Sequence, residues 1–487
     1  MASYDFDIGI LGGGSAGLTI ASGAARFGAK TLLIERVDSL GGDCLHFGCV
    51  PSKTLIRTAR VCHLMRNSAK YGLPEVYVKP VDFREVARRI QSVILTIQKY
   101  DSKERFCQLG AQVEFGHAHF IDEHTVRIDK KLYTAKCWVI ATGSSPAIPP
   151  IKGIDATPYI TNREIFSLES LPQSMIAIGG GPISIEMAQA FSRLGTKVTV
   201  VEMTDQILGV EDRDMADHVM NILSAEGVAF HLRSGILEVK DLGAEREVVI
   251  KNNEGNTVSL KADVILVATG RQANVQDLRL ENISVEYDRR GLKIDDRLRT
   301  SQKHVYAAGD VTGSYQFTHA AGYEGGIALS NSILHLPRRA DYTNMPWCTY
   351  TDPELASIGM NEKRAAAAGI QYKAWTEEFR YNDRSLTEGE ETGKIKLLLD
   401  EDEKPIGIQI LGPHAGELIN EWVAVMNGKV GLTTLASAVH PYPTIGEINK
   451  RVAGNFISGK IFSDKVRTAL HFFFNLRGRS CGQPQSG

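Results

Sequence analysis

The chain has 487 residues with 57 acidic side chains against 55 Lys and Arg, a formal net charge of −2. That length exceeds what one hydrophobic core usually supports, so two to four domains are expected, and the charge balance offers no basic surface for nucleic acid. Seven cysteines in so long a chain do not make a secreted disulfide scaffold.

Met1 to Asp7 carries acids and lacks a basic region ahead of its apolar run, so a secretory signal is not indicated and a cytoplasmic location is expected. The stretch Ile8 to Ala25 is long enough to suggest a membrane span, but its glycines argue for strand, turn and helix. Asp7 to Leu11 reads as an apolar strand. It runs into Gly12-x-Gly14-x-x-Gly17, a helix to Phe27 and a second strand, Thr31 to Ile34, closed by Glu35. Gly12 suits the tight turn, Gly14 lets backbone approach a pyrophosphate, Gly17 lets helix pack close on strand, and Glu35 can hydrogen-bond an adenosine ribose. Strand, helix and acid together predict a dinucleotide site.

Cys44 and Cys49 follow in Gly41-Gly42-Asp43-Cys44-Leu45-His46-Phe47-Gly48-Cys49-Val50-Pro51-Ser52-Lys53. Residues five apart in a helix are separated by about 7.5 Å of axial rise, too far for a disulfide, so the two can pair only across a loop, which Gly48 permits. Pro51 suits the first position of a helix continuing through Ser52 to Met65, and Cys49 then lies at the positive end of its dipole, where a thiolate is favoured. The other five cysteines, Cys62, Cys107, Cys137, Cys348 and Cys481, show no metal-ligand spacing and read mostly as buried thiols. No metal site is predicted.

The nucleotide pattern returns at Met175 to Ile178, Gly179-x-Gly181-x-x-Ser184, a helix through Leu194, and the strand Lys197 to Val201 closed by Glu202. Ser184 is small enough to keep the packing close. Glu202 accepts hydrogen bonds from a free ribose hydroxyl and repels a 2′-phosphate, and Met203 and Thr204 add no positive charge, so NADH is expected over NADPH. The strands Trp138 to Ile140 and Val264 to Val267 run into Ala141-Thr142-Gly143 and Ala268-Thr269-Gly270, read as crossings between domains; Val305 to Ala308 runs into Gly309-Asp310. At the far end, Ile448 to Gly487 carries seven basic residues (Lys450, Arg451, Lys460, Lys465, Arg467, Arg477, Arg479) against Asp464, and includes Phe472-Phe473-Phe474. Such a segment suits packing against a partner subunit, the favoured reading, or contact with a membrane surface.

Taken together, the motifs resemble the pyridine nucleotide-disulfide oxidoreductases of the glutathione reductase, dihydrolipoamide dehydrogenase and mercuric reductase type. The resemblance runs nearly end to end. It includes Gly116-His117-Ala118, Thr318-His319-Ala320-Ala321 before Glu324-Gly325, Tyr350-Thr351-Asp352-Pro353-Glu354 and Gly393-Lys394-Ile395-Lys396. It implies an α/β fold with two Rossmann-like domains and a C-terminal α+β dimerisation domain. The expected pieces are an FAD domain at 1–152 and 273–344, an NAD domain at 153–272, a dimerisation domain at 345–450 and an extension at 451–487.

The resemblance also implies a homodimer using FAD and NAD, with hydride passing from NADH to the flavin, the flavin reducing a disulfide at Cys49, and Cys44 exchanging with an acceptor disulfide. Lys53 and Glu186 match the family's ion pair beneath the flavin ring. Gly116, His117, Ala118, Thr142, Gly143, Asp310, Thr318 and His319 match its flavin-contacting segments, with Asp310 toward the ribityl hydroxyls. Gly270 and Ile236 match contacts to the pyridine nucleotide.

Three departures bear on chemistry. Disulfide reductases of this family carry His-Pro-Thr and then a glutamate near the C-terminus, the histidine serving as acid and base. This chain reads His440-Pro441-Tyr442-Pro443-Thr444-Ile445-Gly446-Glu447. Tyr442 thus takes the histidine's place beside Glu447, in the segment that in the family meets the partner subunit's cysteines. A phenol with a pKa near 10 is a poor base at neutral pH, so lipoamide or glutathione turnover should suffer unless His440 substitutes. His-Pro-Tyr is similar to mercuric reductases, yet the N-terminal metal-carrying domain and the adjacent tail cysteines of those enzymes are absent, Cys481 standing alone. Finally, Pro182 replaces the residue that gates the nicotinamide pocket in relatives, and His46 sits where asparagine is common, read here as a loop-filling polar residue. A disulfide acceptor is the leading expectation, a soft metal ion such as Hg(II) or Cu(II) the second, and a low-turnover flavoprotein scaffold the third.

Overall fold

The computed structural model describes residues 4–478 and divides into two compact units, Met1–Thr343 and Asn344–Gly487. The residues expected to form the FAD and NAD pieces, 1–344, coincide with the first unit except for Asn344.

The first unit is built on a parallel sheet whose strands are the apolar runs read from the sequence. Phe6–Leu11 lies between Thr31–Glu35 and Lys131–Ile140; Ala111–Phe115 extends one side and Val305–Ala307 pairs with the C-terminal half of Lys131–Ile140. The other half of that long strand pairs antiparallel with Thr125–Ile128, which pairs with Ala118–Asp122. Gly9 interrupts the first strand because its register partner Trp138 needs the room: a Cβ on Gly9 would sit 2.2 Å from the indole. Trp138 is fully buried, its ring edge-on to Phe120 at 5.9 Å, so one glycine lets the largest core side chain fill the layer.

A second parallel sheet orders Ala229–His231, Lys197–Val201, Ser174–Ile178 and Val264–Val267, with an antiparallel meander of Gly235–Asp241, Arg246–Lys251 and Thr257–Ala262. The two Ala-Thr-Gly crossings meet. Ser144–Pro146 pairs antiparallel with Arg271–Ala273, and Thr142 Oγ1 donates to the Asn274 carbonyl at 2.7 Å while Asn274 Nδ2 returns a bond to the Thr142 carbonyl at 2.9 Å.

In the second unit, five antiparallel strands in the order Pro346–Thr349, Glu354–Gly359, Pro405–Gly412, Lys394–Leu399, Lys373–Glu378 bury one face against the helices Ala415–Asn427 and Glu447–Ile461. The latter helix runs through residue 450, where the dimerisation domain was expected to end. Trp422 anchors this core. It is fully buried, and its Nε1 donates to Asn449 Oδ1 at 2.8 Å, while Asn449 Nδ2 donates to the Leu418 carbonyl and to Glu421.

Among the described residues no helix is long and apolar enough to cross a membrane. Cys62 and Cys137 are buried, as expected of core thiols, but Cys107 is exposed and Cys348 half-buried. Cys481 lies outside the described residues. Replacing Trp422 with Ala should destabilise the second unit by about 3–5 kcal/mol, since it leaves a cavity and takes a donor from Asn449. Urea denaturation followed by circular dichroism would read this as a lower first midpoint.

Candidate active site

The turn after the first strand is set by close backbone contacts. Gly12 has φ +112°, and a Cβ there would lie 2.2 Å from the Ala141 carbonyl; at Gly17 it would lie 1.8 Å from the Gly12 carbonyl. Gly14 sits at the start of helix α1 (Ser15–Arg26), with only the Gly42 Cα near its missing Cβ, at 3.8 Å. That leaves the helix N-terminus open for backbone approach by a diphosphate. Glu35 closes the second strand and turns back: its Oε2 accepts from the Gly13 amide at 2.7 Å. The backbone of Gly116 donates to the Glu35 carbonyl at 2.9 Å, bringing Gly116, exposed His117 and Ala118 to the same edge.

The second fingerprint repeats this construction. Gly179 has φ +104° over the Ala268 carbonyl, Gly181 caps the helix Pro182–Leu194 with open space beside it, and Ser184 is fully buried. Glu202 Oε2 accepts from the Gly180 amide at 2.6 Å, the counterpart of Glu35 on Gly13. In both turns a Cβ on the middle glycine would be crowded by the acid, 3.2 Å from Glu35 at Gly13, where Leu40 would lie nearer still at 2.6 Å, and 3.0 Å from Glu202 at Gly180. Pro182 takes the first helical position, where no amide is missed. Gly270 lies between the strands Val264–Val267 and Arg271–Ala273 at φ +128°, facing open space, and Ile236 opens the meander at a β-bulge.

Between these turns lies the dithiol. Cys44 is on the short helix α2 (Gly42–His46) and Cys49 opens helix α3 (Cys49–Arg66), so the connection is a helix break at Phe47-Gly48. Two details differ from the sequence reading. Pro51 takes the third helical position rather than the first, where its missing N–H is still harmless. Gly48 has φ −121°, so it serves by small size: a Cβ would lie 3.0 Å from the Asp43 carbonyl and 3.1 Å from the Cys44 Cα. His46 lies on α2 and bonds the Leu40 carbonyl through Nε2 at 2.9 Å.

No disulfide joins the two cysteines here; they hydrogen-bond to each other. Donation from Cys44 is the largest influence on Cys49 and holds its pKa down to about 6, against partial desolvation in the cleft; Thr318 and the charge of Lys53 assist, and Glu186 opposes. Cys44 is driven the other way by the same bond, by burial and by the neighbouring thiolate. Thr318 Oγ1 lies 3.4 Å from Cys49 Sγ, at the start of the helix Thr318–Ser332, with His319 stacked on Phe317. Lys53 Nζ bonds Glu186 Oε2 at 2.8 Å across two packed helices.

Two residues that bear on the site were missed by sequence reasoning. Arg271, just past the second Ala-Thr-Gly, bonds Asp43 Oδ2 at 3.0 Å, Ser144 Oγ at 2.7 Å and the Ser144 carbonyl at 2.9 Å, and lies 3.7 Å from Asp310 Oδ2. Ser144 Oγ donates to Asp310 Oδ2 at 2.5 Å, and burial pushes the Asp310 carboxyl up. Asp43 is therefore tied, through one guanidinium, to Asp310. Among the described residues its buried Oδ1 has no hydrogen-bond partner, while Oδ2 also accepts from Asn162 Nδ2 at 3.4 Å, so Arg271 is the cation at this carboxylate. Nearby, fully buried Glu324 accepts from the Gly309 amide at 2.6 Å and from the Tyr342 hydroxyl at 2.7 Å, fixing the backbone beside Asp310.

The remaining candidates are in the second unit. Tyr442 is exposed and donates to Asp383 Oδ2 at 2.9 Å, which pushes its phenol further above the ordinary value. His440 faces acceptors with both ring nitrogens, Glu421 Oε1 at 2.9 Å from Nε2 and the Ala438 carbonyl at 3.3 Å from Nδ1. Glu447 opens the helix Glu447–Ile461.

The profile described as "Pyridine nucleotide-disulphide oxidoreductase" matches residues 6–325, and that of the dimerisation domain of the same family matches residues 345–453. The chain belongs to this family. It is 33% identical over 466 residues to a dihydrolipoyl dehydrogenase of Bacillus subtilis, covering 91% of this chain and 96% of that protein. It is 32% identical over 458 residues to a mercuric reductase of Staphylococcus aureus, covering 93% and 82%. Among solved structures, the Cu(II) complex of the HOCl-induced flavoprotein disulfide reductase RclA from Escherichia coli superposes with a TM-score of 0.83 at 27% identity, covering 93% of this chain and all of that one. The oxidoreductase thus uses FAD and a pyridine nucleotide, and its dimerisation domain supports a homodimer.

Two outcomes follow from this geometry. Alkylation of the reduced enzyme by iodoacetamide should label Cys49 first, with a rate rising through a midpoint near pH 6; Cys44→Ala should move that midpoint up by more than Thr318→Val does. Mass spectrometry of the labelled peptides distinguishes the sites. Arg271→Met should destabilise the FAD-loaded enzyme by roughly 3 kcal/mol, because it strands Asp43 beside Asp310, and Asp43→Asn added to it should restore part of the loss. Thermal melts and flavin-to-protein absorbance ratios read both effects.

Proposed function

We propose that the enzyme takes electrons from NADH through FAD into the Cys44–Cys49 pair and delivers them to an acceptor disulfide. The glycine turn at Gly12, Gly14 and Gly17, with Glu35, Lys53, the 116–118 segment, Thr142, Gly143, Asp310, Thr318 and His319, would hold FAD. The turn at Gly179, Gly181 and Ser184, with Glu202, Ile236 and Gly270, would hold NADH. The flavin, when bound, supplies two-electron carriage between a nicotinamide and a sulfur pair. The residues fit it: open helix N-termini without side chains face each cleft, and Lys53 offers a cation held by Glu186.

The observation that carries this reading is the hydrogen-bonded Cys44–Cys49 pair, with Thr318 Oγ1 3.4 Å from Cys49 Sγ and the Lys53–Glu186 ion pair beside it. Cys49 is poised as a thiolate at neutral pH, and Cys44 keeps its proton and donates it to Cys49. Attack by Cys44 on an acceptor disulfide therefore needs its proton removed. The Cys49 thiolate, with its pKa held down to about 6, is too weak a base to take that proton, and Tyr442 is ill suited to help, since its hydroxyl already donates to Asp383. Net turnover converts NADH, a proton and one disulfide to NAD⁺ and two thiols.

Tyr442 also supports a second reading, reduction of a soft metal ion. A thiophilic ion can displace the Cys44 proton by binding the sulfur pair, without a histidine to receive it. One relative is named mercuric reductase, and a solved relative is a disulfide reductase in complex with Cu(II).

The test is an anaerobic acceptor series with NADH and NADPH. Catalytic efficiency should be higher with NADH. Tyr442→His should raise lipoamide turnover at least tenfold, out of the roughly 10²–10⁴ that proton transfer contributes, and leave ferricyanide reduction unchanged. Efficient wild-type Hg(II) or Cu(II) reduction beside negligible turnover of every disulfide, even in Tyr442→His, would replace the first reading with the second.

A further inference from the structure

The helix Asp464–Phe474 buries none of its own residues within its unit. Phe472, Phe473 and Phe474 are 82%, 76% and 68% exposed, and Ile461, Phe462, Val466, Leu470 and Leu476 are exposed around them. Their arrangement is ordered. With about 3.6 residues per turn, Val466, Ala469, Leu470 and Phe473 share one face and Phe474 joins its edge, while Asp464, Thr468 and His471 fill the opposite face and Phe472 lies beside Lys465 off the stripe. Lys465 falls on one margin of the apolar stripe and Arg467 on the other, where its guanidinium also pairs with Asp464 at 2.5 Å on the exposed side of the helix.

The charge of the segment singles out the occupant. Between residues 461 and 478 Lys465, Arg467 and Arg477 stand against Asp464 alone, in a chain whose formal charge is −2. An apolar stripe bordered by cations on both sides complements an anionic lipid surface, with phenylalanines entering the acyl boundary and cations at the headgroups. A second copy of the same segment fits less well, because a two-fold contact would set these cations against their own counterparts. The match to the family's dimerisation domain also ends at residue 453, before any of these residues.

We propose that residues 461–478 dock this oxidoreductase on anionic membrane surfaces, the helix lying in the interface and not crossing it. One helix of this length gives weak attachment. A homodimer presents two, and the second engagement is intramolecular, which multiplies the retention.

The experiment uses the full-length, FAD-loaded dimer and co-sedimentation with phosphatidylcholine vesicles or mixed phosphatidylcholine and phosphatidylglycerol vesicles. The wild type should pellet with the anionic vesicles at least tenfold more strongly than with the neutral ones, and added salt should release it. Lys465→Gln with Arg467→Gln should weaken binding by about 25-fold, from roughly fivefold per cation. Phe473→Ser with Phe474→Ser should abolish it. Both variants should keep the dimer mass and the wild-type rate of ferricyanide reduction. Equal pelleting with the two vesicle types, or none, overturns the proposal. Loss of dimer mass in the phenylalanine variant would do so as well, by assigning the stripe to a partner copy.

Discussion

The architecture of the site rests on a contact between two glycines. A Cβ on Gly42 would come within 2.7 Å of the Gly14 Cα, and the Gly41 amide donates to the Gly13 carbonyl at 2.8 Å. Backbone meets backbone, so the start of the dithiol helix is clipped directly onto the first nucleotide turn. Everything else follows from that seam. Cys44 and Cys49 are held beside this turn, α3 is aimed so that Lys53 reaches Glu186, and Thr318 is close enough to assist the Cys49 thiolate.

Burial and charge are balanced across this seam by a few strong contacts. Asp43, Asp310 and Glu324 are carboxyls withdrawn from water to different degrees, and each has a different remedy: a guanidinium for Asp43, a hydroxyl and the edge of the same guanidinium for Asp310, a backbone amide and a phenol for Glu324. A buried charge kept by a single partner is stable only while that partner remains. The region is therefore well ordered and, for the same reason, intolerant of single substitutions.

The parts of this arrangement readable from sequence are those encoded locally. The strand, glycine turn, helix and acid of each nucleotide unit lie within about thirty residues, the span over which such a unit is patterned. The cysteine spacing announced a helix break, and Tyr442 was visible as an odd residue in a motif. What could not be read were partners joined only by the fold. Thr318 and Cys49 are 269 residues apart and Ser144 and Asp310 are 166 apart, and no periodicity links them. Arg271 follows a recognisable Ala-Thr-Gly, but nothing local says that its side chain reaches Asp43. His440 offered itself as a spare base, and its ring nitrogens face Glu421 and the Ala438 carbonyl, partners that the local sequence did not announce. Gly48 and Pro51 were placed in the right break for partly wrong reasons, since crowding against Asp43 and Cys44 decides the one and orphan amides decide the other.

The paired acids have a consequence for redesign. Glu35 and Glu202 are read first as ribose acceptors, yet each already holds its own turn, with Glu202 Oε2 on the Gly180 amide and Oε1 on both the amide and the hydroxyl of Thr204. The turn is thus stiffened before any nucleotide arrives, and less freedom remains to be lost on binding. Exchanging Glu202 for a neutral or basic residue, the obvious route to accepting a 2′-phosphate, would also cut the cord that keeps the glycine loop in shape. Recognition and rigidity share one carboxylate. Altering cofactor choice here calls for a replacement brace to the Gly180 amide, and a swap at residue 202 alone would relax selectivity and loosen the loop together.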